Sequence, residues 1–254
     1  MQMNDFVSIF QLFEASLRLV VFVTVFGLFS VLESVFPRRV RRMSRFRRWR
    51  TNAGMLIAAT LLVRVASFGV PLLVTVAAAT FVHESSIGLF NLTQWPSWFE
   101  ILLAIAMLDL AIWFQHMVSH KVPVLWRLHK VHHTDLDLDA SSALRFHPIE
   151  ILLSAVYKIA VVFVLGPAVL AVLLFEILLN SSAIFNHANL RLPKWLDSIL
   201  RSAVVTPDMH RVHHSIHRSE QNSNYGFCLS IWDRVFGTYI ARPMSGHTDM
   251  NIGL

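Results

Sequence analysis

The chain has 254 residues, of which 55% are hydrophobic and only 15% charged, against about 25% charged in a typical soluble domain. That balance excludes an ordinary soluble globular enzyme and fits a polytopic membrane protein. The formal charge of +6 is concentrated in one block, and the single cysteine, Cys228, excludes an intrachain disulfide and any Cys-based zinc or iron–sulfur motif.

A helix needs about 20 apolar residues to cross the hydrocarbon core. The first such stretch is 9–36, too long for the apolar part of a cleavable signal peptide. It is followed by "RRVRRMSRFRRWR", which holds eight arginines and no acid. A basic block also suits nucleic acid, but between two apolar runs it reads as a cytoplasmic loop facing anionic lipid, with no nucleic-acid partner. A second span is expected over 53–82, and Trp95 and Trp98 mark the opposite interface. The third runs from about 98 to 114. The apolar region 149–185 is too long for one crossing and is broken at Gly166-Pro167. It reads as a helical hairpin with arms ending near 165 and starting at 168, the second arm reaching about 182. Positively charged loops face the cytoplasm. The chain after the third span, and all of it from His187 on, is therefore expected on that side.

Of thirteen histidines, eleven fall on this one expected side; His83 lies opposite and His247 beyond the clusters. "HMVSH" sets His116 and His120 four apart on one helix face. "HKVHH" and "HRVHH" set His129, His132, His133 and His210, His213, His214 at i, i+3 and i+4, spacing that suggests three rings pointing one way. Thr206, Pro207 and Asp208 form a helix start before the last triple. His187 follows the hairpin. Nine imidazoles drawn together repel when protonated, and a bound cation that requires neutral rings removes the repulsion. Imidazole suits zinc, copper, iron and nickel. Nine ligands exceed the needs of one ion and suit two. A lone histidine is more often a packing residue, the reading for His83 and His247, and His217 reads as a solvated face.

Around these boxes stand "RFHPIE", "NHANLRLP", "NSNYGF" and "IWDRVFGTY". Together they resemble the sterol desaturase / fatty acid hydroxylase superfamily, in its bacterial branch, over about 102–239. The resemblance implies an all-α membrane protein with three spans plus a helical hairpin and a cytosolic helical cap carrying the histidine boxes. It implies a di-iron monooxygenase or desaturase that uses O2 to oxidise lipid C–H bonds. The metal ligands it implies are His116, His120, His129, His132, His133, His187, His210, His213 and His214, holding two iron ions, with zinc also compatible with the donor set. His147 matches a family motif and stands between ligand and supporting residue. Where some members carry another ligand, this chain has Arg191, which cannot bind a cation.

Ligating imidazoles donate their second N–H to a carboxylate or carbonyl. Glu150 and Asp208 are the expected carboxylates, and with His147 they complete the expected catalytic set. Asp109 inside the third span needs a partner, and Arg64 is a candidate. Glu176 raises the same question. No dinucleotide, haem or cytochrome signature is present, so a separate reductase or ferredoxin- or cytochrome-type donor is implied. The division expected is 1–97 for two helices and the arginine loop, 98–240 for the catalytic region and 241–254 for a tail. The location expected is a bacterial inner membrane with a cytoplasmic active site. The alternative is a membrane metal transporter or a metal-binding protein without redox activity. A zinc hydrolase would carry an HExxH-type box, which is missing.

Overall fold

The computed structural model describes residues 3–70, 72, 74–92 and 94–254, with side chains from 13 onward. Among these residues twelve α-helices follow in order: α1 Met3–Val35, α2 Arg45–Gly69, α3 Thr75–Glu84, α4 Ser97–Lys121, α5 Pro123–His133, α6 Pro148–Leu165, α7 Val169–His187, α8 Lys194–Arg201, α9 Pro207–His213, α10 Arg218–Gln221, α11 Ile231–Val235 and α12 Gly246–Asp249. Among the described residues no strand forms; the bridges Pro37–Leu190, Val204–Leu229 and Ser215–Ile252 are isolated. The chain is all-α. Among the described residues five stretches are long and apolar enough to cross a membrane: Phe13–Val35, α2, α4, α6 and α7. Leu19, Val23 and Val31 of α1 and Ile57, Leu61 and Val65 of α2 are exposed, as side chains facing hydrocarbon would be.

The second span differs from the sequence reading. One helix over 53–82 was the expectation, but α2 begins inside the arginine block and stops at Gly69, and α3 is separate. Val70 takes φ −138°, the extended backbone favoured ahead of a proline, here Pro71. The hairpin forms where expected, with Gly166 in the left-handed region at φ 65°. A Cβ on Gly166 would strike the carbonyl of Ile87, and Gly88 packs against it at φ 99°. Only glycine permits this approach. The second arm continues to His187 rather than ending near 182, which carries that ring to the end of the bundle.

Small residues let the helices meet closely: Ala78 and Ala79 of α3, Ala104 of α4 and Ala171 of α7 are fully buried beside Leu108, Val162 and Phe175. At one end Asn91 Nδ2 donates to the Gly166 carbonyl at 3.0 Å and Glu100 accepts the Ala168 N–H at 3.1 Å. At the other end the C-termini of α4 and α7 and the N-termini of α2 and α6 converge, and the cap of short helices is built there.

The arginine block is not simply a loop against lipid. Arg48 is 3% exposed. It grips Asp135 with two bonds of 2.7 and 2.8 Å, binds Asp139 at 2.6 Å, and donates to the Asp137 carbonyl. Arg41 and Arg45 pair with Glu33, Arg38 with Asp208, and Arg39 donates to the carbonyls of His247 and Met250. Buried acids require such partners, and the block supplies them. Residues 241–254 also differ from a free tail: Met250 and Ile252 are buried against Leu138, and the Leu254 N–H donates to the His133 carbonyl at 3.1 Å. Asp109 does not meet Arg64, which is exposed. Asp109 accepts from Leu229 N–H and Trp232 Nε1–H at 3.0 and 2.9 Å, tying α4 to α11 and the segment before it. Glu176 pairs with Arg18 and Lys158.

Candidate metal centre

The nine expected imidazoles meet in two sets. His116 and His120 from the last two turns of α4, His129 and His133 from α5, and His213 from α9 form the first. His132, His187, His210 and His214 form the second. Within each set one nitrogen per ring lies within 4.8 Å of all the others. The two HxxHH boxes therefore do not point one way, which corrects the sequence reading. In each box the i, i+4 pair serves one set and the middle ring the other. His129 and His133 join the first while His132 joins the second; His210 and His214 join the second while His213 joins the first. Residues four apart stand nearly above one another, whereas the third is rotated by about 60° or more. Each helix thus straddles both sets.

The spacing suits metal ligation. Nε2 atoms are 3.1 Å apart for His116 and His129, 2.9 Å for His132 and His187, and 3.1 Å for His187 and His210. Nitrogens about 2.0–2.1 Å from one ion stand about 2.8–3.4 Å from each other at right or tetrahedral angles.

The tautomers make a stronger case. His116 Nδ1 meets the Tyr225 carbonyl at 2.7 Å, His132 Nδ1 that of Arg145 at 3.2 Å, His187 Nδ1 that of Ala183 at 2.6 Å and His213 Nδ1 that of Ser223 at 2.8 Å. A carbonyl only accepts, so each Nδ1 carries the proton and each Nε2 presents a lone pair. The lone pairs of His132 and His187 then face each other at 2.9 Å, an arrangement that only a shared cation makes favourable. Both ring nitrogens of His120 and His133, and Nε2 of His213, are buried with no hydrogen-bond partner. Orphans of this kind are rare, and one ion per set gives each ring a partner. The residues present fit two metal ions.

Burial, with neighbouring imidazoles adding to it, holds His132, His133, His210 and His214 well below the ordinary histidine value, and burial pushes His213 down to about 3. The rings are neutral, the form a metal requires. The sign of the pH effect follows. Unfolded imidazoles take up protons near 6.5, whereas the folded His213 resists until about 3. Over that window the unfolded chain binds more protons, so acidification destabilises the metal-free fold. Thermal unfolding of metal-free protein is expected to move to lower temperature as pH falls from about 6.5 toward 4, and an unchanged midpoint would contradict neutral buried rings.

Glu150, in the first turn of α6, accepts from His129 Nδ1 through Oε1 at 2.6 Å, so this expected carboxylate meets a ring of the first set. Glu150→Gln is expected to weaken metal binding by roughly 10–100-fold, read as metal retained during competition with a chelator. His147 stands outside both sets: its Nδ1 accepts the Ile149 N–H at 3.2 Å and caps α6. Asp208 does not reach the imidazole sets. It binds Arg38 at 3.0 Å and Arg211, with His247 at 3.6 Å, because buried cations around it compete for its oxygens. His83, His217 and Arg191 are exposed.

Sequence reasoning missed the carbonyls that orient the rings, since every residue has one. It also missed Asp233, fully buried, which accepts from Tyr225 and Gly226 N–H at 2.8 and 2.9 Å and from Trp113 Nε1–H at 3.0 Å. Asp233 fixes the turn that aims the Tyr225 carbonyl at His116. The one available signal was an acid within the aromatic run "IWDRVFGTY".

Comparison with known proteins places this geometry. The family model described as fatty acid hydroxylase matches residues 101–238, a range that contains all nine imidazoles. The ornithine lipid hydroxylase OlsE of Rhizobium tropici is 30% identical over 159 residues, 63% of this chain and 47% of that protein. Human alkylglycerol monooxygenase is 33% identical over 161 residues, 60% of this chain and 33% of that protein. Human cholesterol 25-hydroxylase is 28% identical over 140 residues, 55% of this chain and 50% of that protein. The chain spans half or less of the length of these curated relatives. No solved structure matches it. With the family model covering more than half of the chain, and every histidine of the two sets inside it, the chain belongs to the fatty acid hydroxylase family, within the sterol desaturase / fatty acid hydroxylase superfamily.

Proposed function

We propose that the chain is a membrane oxygenase that uses O2 and two iron ions to hydroxylate or desaturate a C–H bond of a lipid. The observation that carries this reading is the pair of imidazole sets, five and four rings with one nitrogen of each within 4.8 Å of the rest of its set, at the end of a bundle of five apolar helices. For hydroxylation the balance is R–H plus O2, two electrons and two protons, giving R–OH and water. The electrons come from a separate one-electron carrier or reductase, for which the chain offers no cofactor motif. Iron held by the two sets would supply the redox chemistry that activates O2 against a C–H bond.

The chain's own residues do the rest. The carbonyls of Tyr225, Arg145, Ala183 and Ser223 keep the protons on Nδ1 and turn Nε2 inward. Glu150 does so for His129 and makes that ring a stronger donor. Full burial of His132, His187, His210 and His213 excludes bulk water, which would otherwise quench reactive species. The centre lies on the cytoplasmic side of an inner membrane: the arginine block joins α1 to α2 at the same end as the imidazoles, and such blocks stay on the inside.

Lipid profiling of cells with and without the gene tests the proposal, together with iron content of the purified chain. A lipid gaining one oxygen atom or losing two hydrogens only when the gene is present, with iron bound, is the expected result. Iron-loaded protein that changes no lipid under O2 and reductant would overturn it.

A further inference from the structure

The imidazoles stand at the edge of the hydrocarbon layer. Helices α6 and α7, with 18 and 19 residues, rise only about 27–28 Å and need that whole length to cross a core of about 30 Å. Glu150, bonded to His129, and His187 mark their ends on one side. On α4, Asp109 lies seven residues before His116, about 10 Å farther into the bilayer along the helix axis. Its partners there belong to no spanning helix. They are the Leu229 N–H at 3.0 Å and the Trp232 indole at 2.9 Å. Beside them Phe236 stacks on Trp113 of α4, with ring centroids 4.5 Å apart.

A stretch of the cap thus enters the bilayer and returns. It leaves the histidine level at Tyr225, whose carbonyl holds His116. It regains that level where the Asn224 N–H donates to the Thr238 carbonyl and the Ile240 N–H to Asn224 Oδ1, both at 2.9 Å. The chain leaving α8 is bound to it: the Val205 N–H meets the Cys228 carbonyl at 3.0 Å and the Ser230 N–H the Ala203 carbonyl at 3.1 Å. The outward side chains are apolar. Ile231, Val235 and Phe236 of this stretch, with Trp195 and Ile199 of α8, are 47 to 65% exposed, and together they make a patch rather than scattered contacts. Arg234 is held down, over the Tyr239 ring at 4.0 Å and donating to the Arg201 carbonyl at 2.8 Å. Arg191 and Lys194 are exposed before and at the start of α8, and no acid from 190 to 245 is exposed. Cations beside a tryptophan suit the headgroup boundary of anionic lipid.

We propose that residues 226–238 form a re-entrant wedge in the leaflet on the histidine side, with α11 among the acyl chains and Trp195 and Ile199 of α8 at the headgroup boundary. What covers the patch is the protein's own bilayer. The inference goes beyond the oxygenase reading and does not depend on it. The wedge explains how α4 tolerates a carboxylate within its span, since it brings N–H donors to a depth where lipid offers none. At 13 residues it is too short to be read as a crossing.

The test uses the full metal-loaded chain in vesicles of phosphatidylethanolamine and phosphatidylglycerol. The polarity-sensitive fluorophore NBD is attached, in a Cys228→Ala background, through Val235→Cys or Ile199→Cys. Ile57→Cys, exposed on α2, is the lipid-facing control, and Thr248→Cys, exposed on α12, the water-facing one. At both test sites emission is expected to shift to the blue of Thr248→Cys. Quenching by a phospholipid with a nitroxide on its acyl chain is expected to be several-fold stronger than at Thr248→Cys, and quenching by aqueous iodide several-fold weaker. Iodide quenching equal to that at Thr248→Cys overturns the wedge. Protection from both quenchers overturns it too, because a second copy or a partner protein would then cover the patch. The unaltered chain gives a second measurement that needs no variant to fold. An apolar carbene-generating reagent dissolved in the bilayer is expected to label peptides covering 194–201 and 231–236 as strongly as those of α2, and peptides free of label overturn the inference. Neither readout involves catalysis, so failure here leaves the oxygenase reading standing.

Discussion

On the proposed two-iron reading, replacing His132 with alanine is expected to leave about one iron per chain where two are expected in the parent, and to lower the proposed lipid oxidation by more than about 100-fold. That magnitude exceeds the roughly 10–100-fold attached to loss of a supporting partner, because a ligand itself is gone. The neighbouring substitution His133→Ala is expected to behave differently. His132 belongs to the set of four and His133 to the set of five, so the first loss leaves three imidazoles and the second leaves four. Four nitrogen ligands still make a complete site, so His133→Ala should keep about two irons with weaker retention. Metal analysis of the two purified variants, beside the parent, decides the matter. Equal metal loss from both would contradict the crossed assignment of the HxxHH boxes, whatever happened to activity.

Arg48→Met is expected to destabilise the chain by about 3–5 kcal/mol, the cost of removing one partner from a buried ion pair. Arg48 and Asp135 are each 3% exposed and Asp139 is fully buried. Without the guanidinium two carboxylates remain uncompensated in the cap. Asp135 lies two residues after His133, so the loop that ends α5 should loosen and metal retention should fall with stability. Arg48→Lys is expected to recover only part of the loss, since an ammonium cannot reproduce the two-pronged grip on Asp135. Thermal unfolding in detergent, followed by tryptophan fluorescence, provides the measurement. A midpoint unchanged in Arg48→Met would mean that the acids find other partners and that the arginine does not hold the cap.

The arginine block shows where one-dimensional reading stops. Eight arginines between apolar runs join two helices at the end of the bundle where the histidines gather. Charge alone does not say that Arg48, Arg38 and Arg39 turn inward, because their acids and carbonyls lie about 90 to more than 200 positions away. Asp109 and Arg64 illustrate the same limit. Both are costly in a span, and pairing them was the economical guess, yet Asp109 is satisfied by the Leu229 N–H and the Trp232 indole.

The histidines, the five apolar helices, the glycine break at 166 and the capped start of α9 were all legible in the sequence, because each depends on spacing within one short segment. Helical period, apolar length and the stereochemistry of glycine and proline act locally. Which ring joins which set, that Glu150 rather than Asp208 reaches an imidazole of the two sets, that His147 caps a helix, and that residues 241–254 pack on the cap were decided only by tertiary structure. Those outcomes depend on how distant helices approach and on which buried donor each acceptor meets first, and no local pattern carries that information.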